Sequence, residues 1–290
     1  MSGTMSGKVC LVTGATSGIG QVTARELAQM DATIIAVGRN PQKGAETVAE
    51  IKRHGASDKV EFMQADLSSQ ESIRDLARTF TAKYDQLQVL VNNAGGVFSK
   101  RETTVDGLEM TFALDHLAYF LLTELLLPVL ERSAPARIVN VSSGAQSTGK
   151  IDFDDLQGAK RYSGWRAYSQ AKLANVLFTY ELARRLQGTG VTANCLHPGF
   201  VATGFAQNNS GALQALIKVG QVFAISPEKG AETSVFLASS SLVEGVSGKY
   251  FANKKERKSA KQSHDEPVAR RLWDVSAQLT GTTEQLVASS

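Results

Sequence analysis

Short β-branched runs recur along this chain with room for one helix between each pair. They fall at Val9–Thr13, Thr33–Val37, Val60–Gln64, Val89–Val91, Arg137–Val141 and Val191–Leu196, with a shorter run at Gly248–Phe251. Helical periodicity fills the gaps over Gly18–Met30, Pro41–Arg53, Gln70–Lys83, Val105–Glu131 and Trp165–Gln187, and returns at Glu266–Leu279. Strands alternating with helices read as βαβ units, which build a parallel sheet covered on both faces. The expected fold class is therefore α/β: one doubly wound parallel sheet with helices on both faces.

No repeat, low-complexity tract or linker divides the 290 residues, so residues 1–290 read as a single domain. Within it, residues 1–7 read as a flexible N-terminus, 204–227 as a substrate lid and 253–290 as a C-terminal extension. A second polar insertion spans Gly144–Arg166. With 31 Lys and Arg against 28 Asp and Glu, the charge balance points to no nucleic-acid partner. Part of the basic excess sits in Lys254–Lys258, which reads as a solvated loop. Cys10 and Cys195 lie in apolar runs and read as packed free thiols, which fits a reducing compartment. The first residues carry no apolar signal core. The longest apolar stretch, Tyr119–Leu130, is too short for a bilayer and contains Glu124 and Pro128. The expectation is a cytoplasmic protein with no membrane span. His54, His116, His197 and His264 have no partners at metal-ligand spacing, so no metal is expected.

The first strand runs into Thr13-Gly14-Ala-Thr16-Ser17-Gly18-Ile19-Gly20, and a helical pattern follows at once. Glycines in that place let the backbone turn tightly and approach a pyrophosphate, while the helix N-terminus faces its charge. Three residues separate Gly14 from Gly18, so the spacing departs from G-x-G-x-x-G, but the context after a strand and before a helix is the dinucleotide-binding, Rossmann-type one. Gly14, Thr16, Ser17, Gly18, Ile19 and Gly20 are candidate cofactor contacts. The second strand ends in Gly38-Arg39-Asn40, with a cation where an acid would hold the ribose of NAD. Arg39, helped by Asn40 and Ser17, suits a 2′-phosphate, so the expected cofactor is NADP(H).

Tyr168 and Lys172 are four residues apart in a helical segment, on one face. An ammonium beside a phenol favours phenolate and lowers its pKa, which makes Tyr168 a candidate proton donor or acceptor. Tyr162 and Ser142 are competitors by residue type, but Tyr162 has Arg166 four residues on instead of lysine.

Taken in order, these motifs resemble the short-chain dehydrogenase/reductase family over nearly the whole chain. They are Thr13-Gly14-x-x-x-Gly18-x-Gly20, Asp66-Leu67, Asn92-Asn-Ala94-Gly95, Ser143, Tyr168-x-x-x-Lys172 and Pro198-Gly199-x-x-x-Thr203. The insertion before Tyr168 and the Arg270-Arg-Leu-Trp273 segment resemble the retinol-dehydrogenase-like branch. The resemblance implies that Asp66 and Leu67 contact the adenine, and that Asn92, Ala94 and Gly95 line the cofactor's middle. Pro198, Gly199, Val201 and Thr203 would hold the nicotinamide. Ser143 would hydrogen-bond the substrate oxygen, Tyr168 would exchange the proton, and Lys172 would bind the ribose and depress the tyrosine pKa.

The fourth catalytic position of the family is usually asparagine; here the matching residue is Asp115. Either its backbone carbonyl serves, and the change is tolerated, or the side-chain amide is needed and turnover is impaired. Two functions follow. The first is an NADP(H)-dependent oxidoreductase that reversibly reduces a ketone or aldehyde. The second is an NADP-binding regulatory or interaction protein with little catalysis. Phe200, Phe205, Leu213, Leu216, Ile217, Val222 and Phe223 in and before the lid suggest a small apolar or aromatic carbonyl or alcohol as substrate. The apolar circumference of the Val105–Glu131 and Trp165–Gln187 helices is consistent with a homodimer or homotetramer.

Overall fold

The computed structural model describes residues 4–53, 59–199 and 225–282. Among the described residues, seven strands pair in parallel: β1 (Val9–Thr13), β2 (Thr33–Gly38), β3 (Val60–Gln64), β4 (Val89–Asn92), β5 (Ala136–Val141), β6 (Val191–Leu196) and β7 (Tyr250–Ala252). A two-residue β8 (Lys255–Glu256) closes one edge antiparallel to β7, and the order is β3-β2-β1-β4-β5-β6-β7-β8. The helices are α1 (Gly18–Gln29), α2 (Pro41–Arg53), α3 (Gln70–Lys83), α4 (Met110–Arg132), α5 (Gly164–Arg185), α6 (Pro227–Ser239) and α7 (Glu266–Thr280).

Alternation along the strands makes two cores. Cys10, Val12, Ile34 and Ala36 pack with Leu27 of α1 and Leu237 of α6 on one face. Leu11, Ile35 and Val37 pack with Phe80 of α3, Phe120 of α4 and Phe178 of α5 on the other. The strand order turns back between β1 and β4, so their C-terminal ends open a crevice there, the place where ligands enter doubly wound sheets.

Several expected elements shift. Helix α4 starts at Met110 rather than Val105, which is 87% exposed in the preceding turn. The Glu109 carboxylate sets that start by accepting the N–H groups of Thr111 and Phe112, both at 2.8 Å. Helix α6 has no counterpart in the periodicity reading, although Ser226 accepts from the Lys229 N–H and Pro227 takes the first turn. That Ser-Pro start was the available signal, hidden because the stretch before it read as a lid. The basic run is exposed, as expected of a solvated loop, but it also carries β8. Asn253 and Lys254, both at positive φ (50° and 59°), turn the chain from β7 into it. Both cysteines are buried free thiols.

Helix α4 is long and apolar enough to cross a membrane by length and composition, and 72% of its most apolar window is buried inside the protein. Helix α7 packs on both α4 and α5 within the chain. Its Trp273 sits 5.0 Å from the Phe120 ring and 5.7 Å from that of Phe178.

Candidate active site

The glycine loop is fixed to the loop after β4 by its own backbone. Gly14 and Gly18 lie at φ 64° and 55°, where a side chain is strained. A Cβ on Gly14 would sit 2.9 Å from the Ala94 Cα, and one on Gly20 would sit 2.4 Å from both the Asn93 Nδ2 and the Gly14 carbonyl. Asn93 donates its amide to the Thr13 carbonyl at 2.8 Å. The N–H groups of Asn93 and Ala94 donate to the Thr13 hydroxyl at 2.8 and 3.0 Å. Thr13 and Asn93 are structural members of the site that the sequence reading left out, although both lie inside the quoted motifs.

Ser69, Ser226 and Asp265 cap α3, α6 and α7 with their side chains, whereas Ser17 makes no side-chain capping bond at α1. The first N–H groups of α1 therefore face the crevice uncapped by a side chain, and the donor set fits a dinucleotide pyrophosphate. Thr16 packs against the end of β2, where a Cβ on Gly38 would meet its Cγ2 at 2.6 Å. Arg39 and Asn40 are exposed on the same rim, and Asn40 accepts the Lys43 N–H at 3.0 Å. Asp66 holds a turn, accepting from the Ser68 N–H at 3.0 Å and hydroxyl at 2.7 Å, and Leu67 is buried beside it.

Asn92 stands apart from the expected cofactor lining. Its side chain is buried between sheet and helices, donating to Thr123 at 3.0 Å and Asn140 at 2.9 Å. Both amide hydrogens are spent there, so the side chain braces the β4 end rather than reaching into the crevice. Pro198 and Gly199 (φ 92°) follow β6 at the crevice. Val201, Thr203 and nearly all of the expected lid lie outside the described residues.

Four side chains from three elements meet beyond the glycine loop. Ser143 follows β5, Tyr168 and Lys172 share one face of α5, and Asp115 lies in a π-helical turn, Ala113–Leu117, inside α4. The Lys172 Nζ lies 5.5 Å from the Tyr168 ring centre and 5.6 Å from that of Tyr119. Ser143 hydrogen-bonds the Tyr168 phenol. The Lys172 Nζ stands 3.0 Å from the Asp115 Oδ2, with both side chains buried. That contact is close ion pairing outside hydrogen-bond geometry, while Oδ1 accepts the Gly96 N–H at 2.8 Å. The Asp115 backbone carbonyl accepts from the Asn175 amide at 2.8 Å. Asn175 was missed, although it lies one turn beyond Lys172 on the same face, which is the signal that would have found it.

The electrostatics reverse one expectation. The Tyr168 phenol is pushed up, not down: burial is the largest cause, the Asp115 carboxylate adds to it, and the Ser143 hydrogen bond opposes it. Burial also raises Asp115, against the Lys172 charge and the Gly96 N–H. Next along the π turn, His116 is buried between Asn175 (3.2 Å) and Ser276 of α7 (2.9 Å). Burial lowers His116 to about 4, with the Asn175 hydrogen bond opposing the shift. The two competitors are occupied elsewhere. Ser142 donates to the Lys172 carbonyl at 2.8 Å, and Tyr162 donates to the Phe98 carbonyl at 2.9 Å. Among the described residues, no three His, Cys, Asp or Glu side chains gather at a metal-binding spacing.

Comparison with known proteins shows the family of this chain. A family profile described as short chain dehydrogenase matches residues 8–213. Retinol dehydrogenase 12 of Mus musculus is 45% identical over 95% of this chain and 87% of its own length. Retinol dehydrogenase 13 of Homo sapiens is 43% identical over 96% of this chain and 86% of its own. Among solved structures, an uncharacterised protein from Mycobacterium paratuberculosis superposes with a TM-score of 0.78 at 33% identity, covering 96% of this chain and 94% of that one. The Pseudomonas aeruginosa RhlG/NADP active-site complex superposes at 0.69 and 27% identity, over 85% of this chain and 94% of that one.

Proposed function

Since this chain belongs to the short-chain dehydrogenase family and to its retinol-dehydrogenase-like branch, an oxidoreductase family using nicotinamide dinucleotides, we propose that it is an NADP(H)-dependent enzyme reversibly reducing an apolar or aromatic aldehyde or ketone. The observation that carries this reading is the convergence of Ser143, Tyr168 and Lys172 beside the uncapped α1 N-terminus. The cofactor, when bound, supplies the hydride. The residues supply place and proton. Gly14, Ser17, Gly18, Ile19 and Gly20 would hold the pyrophosphate, and Gly95, Pro198 and Gly199 would line the ring end. Lys172 would hold the ribose. Ser143 and Tyr168 would hydrogen-bond the carbonyl oxygen, and Tyr168 would give it a proton as negative charge develops there.

An apolar substrate is favoured by what surrounds the phenol. Trp165, 51% exposed, places its ring 6.3 Å from that of Tyr168. Val97 and Ala145 form a small apolar cluster with Tyr168. Retinal is a fitting first probe because the similar curated proteins are named retinol dehydrogenases. The regulatory alternative is not favoured, since those relatives are named for an activity.

The test is a panel of retinal and aromatic aldehydes with NADPH and NADH, followed by the loss of reduced-nicotinamide absorbance. Turnover with NADPH supports the reading; inertness of the whole panel with both cofactors counts against it. Arg39→Ala should weaken NADPH binding by about 1.5–3 kcal/mol, the scale of a charged hydrogen bond, and leave NADH unchanged. Equal losses for both cofactors would exclude a 2′-phosphate contact.

A further inference from the structure

The least expected feature of the site is the carboxylate against Lys172. In a tyrosine–lysine site the ammonium has two uses: it holds the ribose, and its charge favours phenolate. A carboxylate 3.0 Å from that ammonium cancels most of its field a few ångströms further on. Asp115 is also held from a second side. Its Oδ1 takes the Gly96 N–H at 2.8 Å, a Cβ on Gly95 would lie 3.1 Å from Oδ2, and its carbonyl takes the Asn175 amide. The carboxylate therefore cannot swing away from Lys172 without breaking the contact between the loop after β4 and the π turn.

We propose that Asp115 is a positioning residue that clamps Lys172 and neutralises its charge beside Tyr168, so that this chain reduces carbonyls across neutral pH and oxidises alcohols only toward alkaline pH. The inference rests on the function proposed above. In reduction the phenol gives its proton to the oxygen as hydride reaches the carbon. In oxidation the phenolate takes the hydroxyl proton while the carbon's hydride leaves to the oxidised nicotinamide. Keeping the phenol protonated helps the first direction and starves the second.

Among the described residues, the other groups around the pair do not replace the lost cation. Tyr119 of α4 lies under Lys172. Ser143 after β5 bonds the phenol, and Tyr250 of β7 disfavours its ionisation. Tyr250 is itself bonded to His197, just past β6, at 2.8 Å. His116 turns away to Asn175 and Ser276, and Glu109 is spent capping α4. The upward displacement of Tyr168, to which Asp115 contributes, agrees with this arrangement.

The experiment is a pH titration of the protein labelled with 13Cζ-tyrosine, in the starting chain and in Asp115→Asn, with the Tyr168 signal assigned by its loss in Tyr168→Phe. Tyr168 should ionise about one pH unit or more lower in Asp115→Asn. With 4-nitrobenzyl alcohol and NADP as probe, the rising alkaline limb of oxidation should move down with it, raising oxidation near neutral pH about tenfold per unit. An unchanged or higher ionisation in the variant overturns the proposal. Asp115→Ser, also neutral, gives the same readout should the asparagine variant not fold. Near-normal turnover in Tyr168→Phe would instead overturn the proposed function. A dead Tyr168→Phe with an unshifted Asp115→Asn overturns this inference alone.

Discussion

The glycine loop and the tyrosine–lysine cluster face the same crevice and are built in opposite ways. The loop is backbone: positive φ at Gly14 and Gly18, and approaches too close for any Cβ at Gly14 and Gly20. It comes from one contiguous stretch, and its neighbours Thr13 and Asn93 only lock it in place. The cluster is side chain: Ser143, Tyr168, Lys172 and Asp115 arrive from three separate elements, the last three buried and Ser143 half-buried. A backbone site tolerates little substitution but carries fixed partial charges. A side-chain site owes its properties to which charge is next to which, and one exchanged residue can reset it.

This contrast can be broken at three points. The largest effect belongs to Tyr168→Phe. Turnover should fall about 10²–10⁴-fold, the usual worth of a positioned proton donor, while fluorescence titration finds cofactor affinity within a factor of about three. If affinity fell with turnover, the two regions would not be separable. Next is the buried layer behind the cluster. His116 is held at about 4 by burial, against an ordinary value of 6.5. The folded state thus binds fewer protons than the unfolded one between those values. The stability it allows is fully present above about pH 6.5 and is lost as pH falls through the folded value, roughly 3 kcal/mol in all. Thermal melts across that window should show the loss, and His116→Gln should flatten it; a parallel slope in the variant would assign the acid sensitivity elsewhere. The smallest is Gly20→Ala. Its Cβ meets the Gly14 carbonyl and the Asn93 amide at 2.4 Å, which should cost about 1–3 kcal/mol by overpacking. Cofactor binding should weaken too, yet the Tyr168 titration should stay where it was. A moved titration would show that the loop reaches the cluster's electrostatics.

Much of the fold is legible in the sequence. β1, β3, β6, α2 and α3 fall at the expected residues, because β-branched runs and capping residues report local preference. The glycine loop was readable for the same reason: its conformation is imposed by residues adjacent in the chain. What escaped had two sources. Helix α6 and the start of α4 are set by single local caps, Ser226 and Glu109, that leave no periodic signal, whereas Asn92 turns inward to partners far along the chain, Thr123 and Asn140.

The sequence by itself determined that a doubly wound sheet would carry a glycine turn at its first strand and a tyrosine and lysine on one helical face. It also named Asp115 as the departure from the family pattern. Only the tertiary structure decided what the departure does. Asp115 and Lys172 lie 57 residues apart in the chain and 3.0 Å apart in space. An electrostatic effect depends on distance and on exclusion from water, and both come from packing α4 against α5. Spacing alone predicted a phenol eased toward ionisation; burial and one carboxylate turned that prediction around.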